Sequence, residues 1–223
     1  MNIGVIVATK AEREPFSNLF ESALVEHRVE AYEVTVFSLE SGDTLYLALS
    51  SFGELAAASC TQYLIDKFNV DIIINYGVAG SLTHQHVVRD VGFVRKIVHY
   101  DFDLSASGDY AVGEYPGCGG QYLTPREDAF KGLADFGIKE FICASGDKFV
   151  AGTEATAELR EKFGADICEM EAAGIVITCN RNKIPCAFIK AVSDGADEGA
   201  VAFDKNIYLA AKKCAALVSF LII

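Results

Sequence analysis

Val70-Asp71-Ile72-Ile73-Ile74-Asn75-Tyr76-Gly77-Val78-Ala79-Gly80-Ser81 decides how this chain of 223 residues folds. Ile72, Ile73 and Ile74 are apolar at successive positions, the mark of a strand buried on both faces. The glycine-rich Gly77–Ser81 that follows is expected to end it. Ile3-Gly4-Val5-Ile6-Val7-Ala8 opens the chain in the same way. Further strands are predicted at 91–100, 141–144, 165–168 and 187–192, and a strand pair at 31–39 and 44–50 around the turn Ser41-Gly42-Asp43. Helical spacing occupies 10–20, 54–68 after Gly53, 154–163, 171–182 and 206–221. A polar, glycine-bearing loop fills 101–124. No repeat or linker divides residues 1–223, so the pattern is one α/β domain with a helix-covered sheet. Ligands of such sheets sit outside the carboxyl ends of the strands. That rule gathers the turn after Ala8, Gly77–Ser81, Ser145–Phe149 and Ser193–Asp197 at one cleft.

Composition narrows the function. Hydrophobic residues make up 51%, enough for a packed core, and 19 Lys+Arg against 31 Asp+Glu leave a net charge of −12. That balance excludes a basic footprint for nucleic acid and disfavours an anionic membrane surface. The opening residues have no basic segment ahead of their apolar run, and the apolar tail from Cys214 is well short of the ~20 residues needed to span a bilayer. A cytoplasmic location is the expectation. The seven cysteines contain no CxxC pair and are expected to be reduced, buried small hydrophobes.

Three segments put acids where a buried strand gives way to a turn or helix: Thr9-Lys10-Ala11-Glu12-Arg13-Glu14, Glu169-Met170-Glu171-Ala172-Ala173, and Ala191-Val192-Ser193-Asp194-Gly195-Ala196-Asp197. A carboxylate in a helix's first turn is favoured by the dipole, so each acid alone reads as helix decoration. Ser193-Asp194-Gly195 alone reads as a turn with an Asx cap. What shifts the balance is that Asp194 closes an almost wholly apolar strand beside Met170-Glu171. A rigid strand delivering one acid into a cleft is a way to hold a catalytic group.

Together these segments resemble the nucleoside phosphorylase/nucleosidase family, and within it the 5′-methylthioadenosine/S-adenosylhomocysteine nucleosidases. Ile3-Gly4-Val5-Ile6 with Glu12 is similar to the family's opening strand and acidic helix. Ile74-Asn75-Tyr76-Gly77-Val78-Ala79-Gly80 is similar to its Asn-x-Gly-x-Ala-Gly loop. Ser145-Gly146-Asp147-Lys148-Phe149, Met170-Glu171-Ala172-Ala173 and Ser193-Asp194-x-Ala196-Asp197 match its remaining motifs in order.

The resemblance implies a single-domain three-layer αβα fold with a mixed, mostly buried central sheet, and cleavage of a purine N-glycosidic bond without metal or cofactor. The substrate it implies is 5′-methylthioadenosine or S-adenosylhomocysteine. Asp194 would protonate the leaving purine, a role that needs a carboxyl whose pKa is raised by burial. Glu171 would accept both ribose hydroxyls and stabilise the developing cation, and Glu12 would take a proton from the attacking water. An acid and a base on opposite faces of a sugar follow the logic of inverting glycoside hydrolysis. Phe149 would stack on the purine, with the Val150 backbone reading its edge and Ser193 beside Asp194. Met170 and Phe203 would pack on the ribose and its 5′ substituent, with Phe52 a candidate for the same wall. Ordinary core is the competing reading for Phe52 and Phe203. A homodimer is also implied, with the loop 101–118 reaching the neighbouring subunit's site.

This chain departs from the family at three positions. Lys190 stands where an Arg commonly faces the water or phosphate site, and lysine lacks the planar fork for bidentate anion binding. Val78 replaces a Ser, and Tyr76 replaces a small residue. Two alternatives follow: a purine nucleoside phosphorylase using phosphate as nucleophile, or a nucleoside-binding protein of the same fold that has lost catalysis. Against phosphorolysis, Glu12 would repel a phosphate dianion. Other signals are weaker. His84-Gln85-His86 lacks a third ligand and reads as solvated loop histidines. The glycine loop lacks the elements of a P-loop, and Lys10 and Arg13 read as solvated helix-face charges.

Overall fold

The computed structural model describes residues 1–126, 138–195, 198 and 200–222. Ala196 and Asp197 of the last acidic motif lie outside them. The elements run β1 (Asn2–Val7), α1 (Lys10–Leu19), β2 (Leu24–Val29), β3 (Glu33–Ser38), β4 (Thr44–Leu49), α2 (Glu54–Phe68), β5 (Ile72–Ser81), β6 (Val91–His99), β7 (Lys139–Ser145), α3 (Thr153–Phe163), β8 (Ile167–Glu169), α4 (Ala172–Asn182), β9 (Cys186–Asp194) and α5 (Ala200–Ile222).

The strands form one sheet in the order β2-β3-β4-β1-β5-β8-β7-β6-β9, and β5 pairs with β9 as well. Half of the sheet therefore closes on itself. It is mixed: β1 runs parallel to β4 and β5, while β5 runs antiparallel to β8 and parallel to β9. Helices cover both faces. On one, Phe16 of α1 and Ala211, Cys214 and Val218 of α5 pack on Val5, Ile74 and Ile189. On the other, Ala57, Cys60 and Leu64 of α2 and Ile175, Val176 and Cys179 of α4 pack on Ile6, Ile73 and Phe188. Each fully buried Val, Leu, Ile or Phe among these stabilises the fold by ~1.5–3 kcal/mol. No described helix is long and apolar enough to cross a membrane.

Three sequence expectations need correction. First, β5 does not end at Asn75. Gly77, Val78 and Ala79 pair with Lys190, Ala191 and Val192 of β9, and Gly80 and Ser81 pair with Cys168 and Ile167 of β8. The glycines serve close approach and not a turn, since a Cβ at Gly77 would lie 2.5 Å from Glu12 Oε1. Second, β2 is a strand where the sequence predicts none, because this edge strand exposes Leu24, Val25 and Val29 and shows no apolar periodicity. Third, α5 starts at Ala200 and not Asn206. Asp204 and Lys205 interrupt the apolar spacing there, yet Phe203 is already helical.

Candidate active site

Thr9 caps α1, and the cap fixes the first acid. The Glu12 amide donates to Thr9 Oγ1 at 3.2 Å, and Glu12 Oε2 accepts from the Thr9 amide and hydroxyl, both at 2.9 Å. This is a reciprocal capping box. The same carboxylate also reaches across to β5, where Oε1 accepts from the Val78 amide at 3.0 Å. Glu12 is thus both helix cap and cavity wall, and the two readings of it coexist. Tyr76 supports it from behind. Its buried hydroxyl donates to the Glu12 carbonyl at 2.6 Å, and its ring stacks on Phe16 at 5.4 Å.

Asp194 ends β9 and is buried. Burial pushes its pKa up, as a general acid requires. The Ser193 hydroxyl lies 2.6 Å from Asp194 Oδ1 and 3.2 Å from the Ala79 carbonyl. The Ser193 hydroxyl donates to Oδ1, which fixes the carboxyl's orientation and partly offsets the effect of burial on its pKa.

Glu171 sits at the start of α4, where its Oε1 accepts from the Gly53 amide at 3.2 Å. Burial, and then the Glu169 charge, raise it to about 8. Glu169 stands two residues before Glu171. It is buried at the end of β8, accepts Lys190 Nζ at 2.9 Å, and caps α4 through the Glu171 and Ala172 amides at 3.2 Å and 3.1 Å. Burial opposes its charge, but Lys190 overcomes this and holds its pKa down. Glu54 is a further buried acid. It takes the Ser145 hydroxyl and the Gly174 amide, and is also raised to about 8, by burial first and Glu169 second. Asp147 of the Ser-Gly-Asp element caps α2 by accepting the Glu54 amide at 2.7 Å.

One cavity collects Glu12, Glu171 and Asp194 with Phe52, Val78, Phe149, Val150, Met170 and Phe203. Phe149 and Phe203 meet edge to face, with centroids 5.5 Å apart. Two expected site residues do not line it. Lys190 is committed to Glu169, which does line the cavity, and the buried Ser193 touches Asp194, so both reach the cavity only through an acid. The walls also include Ala8, Thr9, Ala79, Gly80 and Lys148, in or beside segments that the strand-end rule gathers at the cleft, and Cys168 and Glu169, which it does not. Of these, Thr9 was legible as a helix N-cap three residues before a Glu.

Other expectations also change. Cys118 is exposed, and Cys168 borders the cavity. His86 is not solvated but packs edge-on against Phe141 and lies 3.7 Å from Asp166. Arg13 is held by Glu33 at 2.6 Å. Among the described residues, no three His, Cys, Asp or Glu side chains cluster as metal ligands.

Residues 2–223 match the Phosphorylase superfamily. An aminodeoxyfutalosine nucleosidase of Campylobacter jejuni is 30% identical over 95% of this chain and 94% of its own length. A 5′-methylthioadenosine/S-adenosylhomocysteine nucleosidase of Actinobacillus succinogenes is 30% identical over 98% of this chain and 96% of its own. Among solved structures, the futalosine hydrolase of Helicobacter pylori superposes with a TM-score of 0.91 at 27% identity, covering 100% of this chain and 97% of that one. The Neisseria meningitidis 5′-methylthioadenosine/S-adenosylhomocysteine nucleosidase, in complex with methylthio-immucillin-A, gives 0.87 at 32%, covering 99% and 98%.

Proposed function

The chain belongs to the phosphorylase superfamily, and from that premise we propose that it hydrolyses the N-glycosidic bond of adenine nucleosides carrying a 5′ substituent, such as 5′-methylthioadenosine and S-adenosylhomocysteine. The observation that carries this reading is the convergence of Glu12, Glu171 and Asp194 on one cavity with Phe149 and Phe203.

Bond cleavage leaves positive charge on the ribosyl ring and negative charge on the purine. Asp194, whose pKa burial raises, gives a proton to the departing base. Ser193 keeps the carboxyl oriented. Glu171 accepts the ribose hydroxyls; its raised pKa makes it sensitive to charge, and a growing cation beside it favours the ionised form. Glu12, held by Thr9 and Val78, draws a proton from water as it adds to C1′. Phe149 and Phe203 offer an aromatic corner for the base.

Water is favoured over phosphate as the nucleophile. Lys190, the cation that might have met an anion, is neutralised by Glu169. Among the described residues, the one Lys or Arg that lines the cavity is Lys148, while Glu12 brings negative charge to the reacting face. The protein is further proposed to act as a homodimer, with the segment 101–118 completing the neighbouring site. Within that segment the Phe102 and Tyr115 rings stack 3.9 Å apart, and Tyr115 packs on the core.

The test is release of reducing sugar from 5′-methylthioadenosine in phosphate-free buffer. Release supports hydrolysis. Activity appearing only with phosphate would point to the phosphorylase, and tight binding with no turnover in either buffer would point to the binding protein.

A further inference from the structure

Phe149, which the proposed reading stacks on the base, stands between β7 and α3, where residues 146–152 belong to no strand or helix. The backbone just before it is tied by two side chains that follow β6. The Asp147 amide donates to Asp101 Oδ2 at 3.0 Å, and the Tyr100 hydroxyl donates to the Lys148 carbonyl at 3.3 Å. The fit is close, since a Cβ at Gly146 would lie 2.7 Å from both Asp101 Oδ1 and Tyr100 Cε1.

Asp101 is itself held. Its Oδ1 lies 2.9 Å from His99 Nε2, and His99 Nδ1 lies 2.7 Å from the Tyr115 hydroxyl. The His99 and Asp101 side chains are only 15% and 21% exposed, so water competes little for these bonds. Burial lowers the pKa of His99, which favours the uncharged ring. A carboxylate offers acceptors alone, so a neutral His99 donates from Nε2 and leaves Nδ1 to accept from Tyr115. The His99 ring also stacks on Phe102 and on Tyr115, with centroids 5.9 Å apart in both pairs.

A hydroxyl, an imidazole and an acid in a row have the make-up of a nucleophile relay. None of the three lines the nucleoside cavity, however, so the hydroxyl does not meet the substrate. The row ends instead at the Asp147 peptide, two residues before Phe149. Lys148, Phe149 and Val150, the residues that come next, all line the cavity. Asp147 also caps α2, but that cap runs through its carboxylate and not through the amide that Asp101 holds.

We propose, resting on the nucleosidase reading, that His99 is a positioning residue for base binding: through Asp101 it fixes the 147–148 backbone, and with it the stacking face that Phe149 presents to adenine.

The experiment titrates adenine, the product that fills the base site alone, into the wild-type protein, His99→Phe, Phe149→Ala and the double variant by calorimetry. Values of kcat and KM for 5′-methylthioadenosine are measured beside it. His99→Phe keeps a ring against Phe102 and Tyr115 but loses both nitrogens. It should weaken adenine and raise KM by about fivefold to tenfold, the scale of one hydrogen bond to a charged group, while kcat changes less than about twofold. In the Phe149→Ala background the same substitution should change adenine affinity less than about twofold, because the face it positions is gone. His99→Gln, whose Nε2 can still donate to Asp101, should recover most of the loss. Asp101→Ala cuts the same link from the other side and carries the same expectation where His99→Phe does not fold. Adenine affinity unchanged by these substitutions, a loss of equal size with and without Phe149, or a loss that His99→Gln does not recover overturns the proposal while leaving hydrolysis intact. Cleavage of no nucleoside by the wild-type protein overturns the nucleosidase reading on which this one rests, whatever the adenine titration gives.

Discussion

Lys190 Nζ lies 2.9 Å from Glu169 Oε2, and both side chains are almost fully buried. Glu169 lines the cavity and Lys190 does not, and the pair interacts with Glu54 and Glu171, so one cation serves a cluster of acids. Despite its burial, Lys190 is held charged by Glu169 and then Glu171. Removing one partner of such a pair is worse than removing both, because the survivor is left charged in a low-dielectric site. Lys190→Met is therefore expected to cost ~3–5 kcal/mol of stability, and Lys190→Met with Glu169→Gln to recover part of that. Urea unfolding of the single and double variants measures it. A double variant no more stable than Lys190→Met would show that the charge pairing is not what Lys190 provides.

Glu54 and Glu171 also make stability depend on pH. Both are raised to about 8 in the folded chain, from near 4.5 when unfolded. Between those values the folded state binds more protons, so stability falls as pH rises toward 8. Burial lowers His99, which gives the opposite slope below its ordinary value near 6.5, so the clean window lies above that. From pH 6.5 to 8 the ligand-free protein should lose at least about 1 kcal/mol, or ~2–4 °C of melting temperature for a chain of this size. Glu54→Gln should flatten the slope by removing one of the two protons. Calorimetry across the range checks it, and a melting temperature that climbs through this window would contradict the protonated cluster.

Asp194→Asn removes the proton donor but keeps the shape. The expected effect is a fall in kcat of about 10²–10⁴, the usual worth of a positioned general acid, with substrate still bound. Ser193→Ala should have a smaller effect on kcat, because Ser193 only orients the acid. Steady-state kinetics with separate binding measurements distinguish the two. A near-native rate in Asp194→Asn would remove the acid assignment.

Much of this architecture was legible in the sequence because burial on both faces writes itself as unbroken apolar runs. β1, α2 and β9 are found where such runs or helical spacing place them. The three acids were legible for a related reason: each stands where a strand of that kind ends. What the sequence did not disclose depends on pairing across the fold. Nothing local to Gly77 says that β5 must continue past it, since the cause is the Glu12 carboxylate packed against it from α1. Likewise Glu169 and Glu54 read as ordinary acids until β8, α2 and α4 meet. Lys190 was drawn toward the cavity by resemblance, yet its geometry is set by Glu169, 21 positions away.

Glu12 is the acid for which stability and chemistry are hardest to separate. Its Oε2 accepts the Thr9 amide and hydroxyl, and its Oε1 accepts the Val78 amide, so both oxygens face donors. Glutamine at this position cannot satisfy them all, because whichever way the amide turns, its NH₂ meets an N–H. That conflict is expected to cost ~1–3 kcal/mol, the penalty for a buried polar group without a proper partner. Glu12→Gln should therefore lower the melting temperature and also abolish most of kcat. Thr9→Ala supplies the comparison. It removes the hydroxyl from the same cap, costing ~1 kcal/mol, but leaves the carboxylate in place. If Glu12 is the base, Thr9→Ala keeps most of its turnover while Glu12→Gln does not, although both unfold earlier. Parallel losses of turnover and stability in the two variants would instead assign Glu12 to the cap alone.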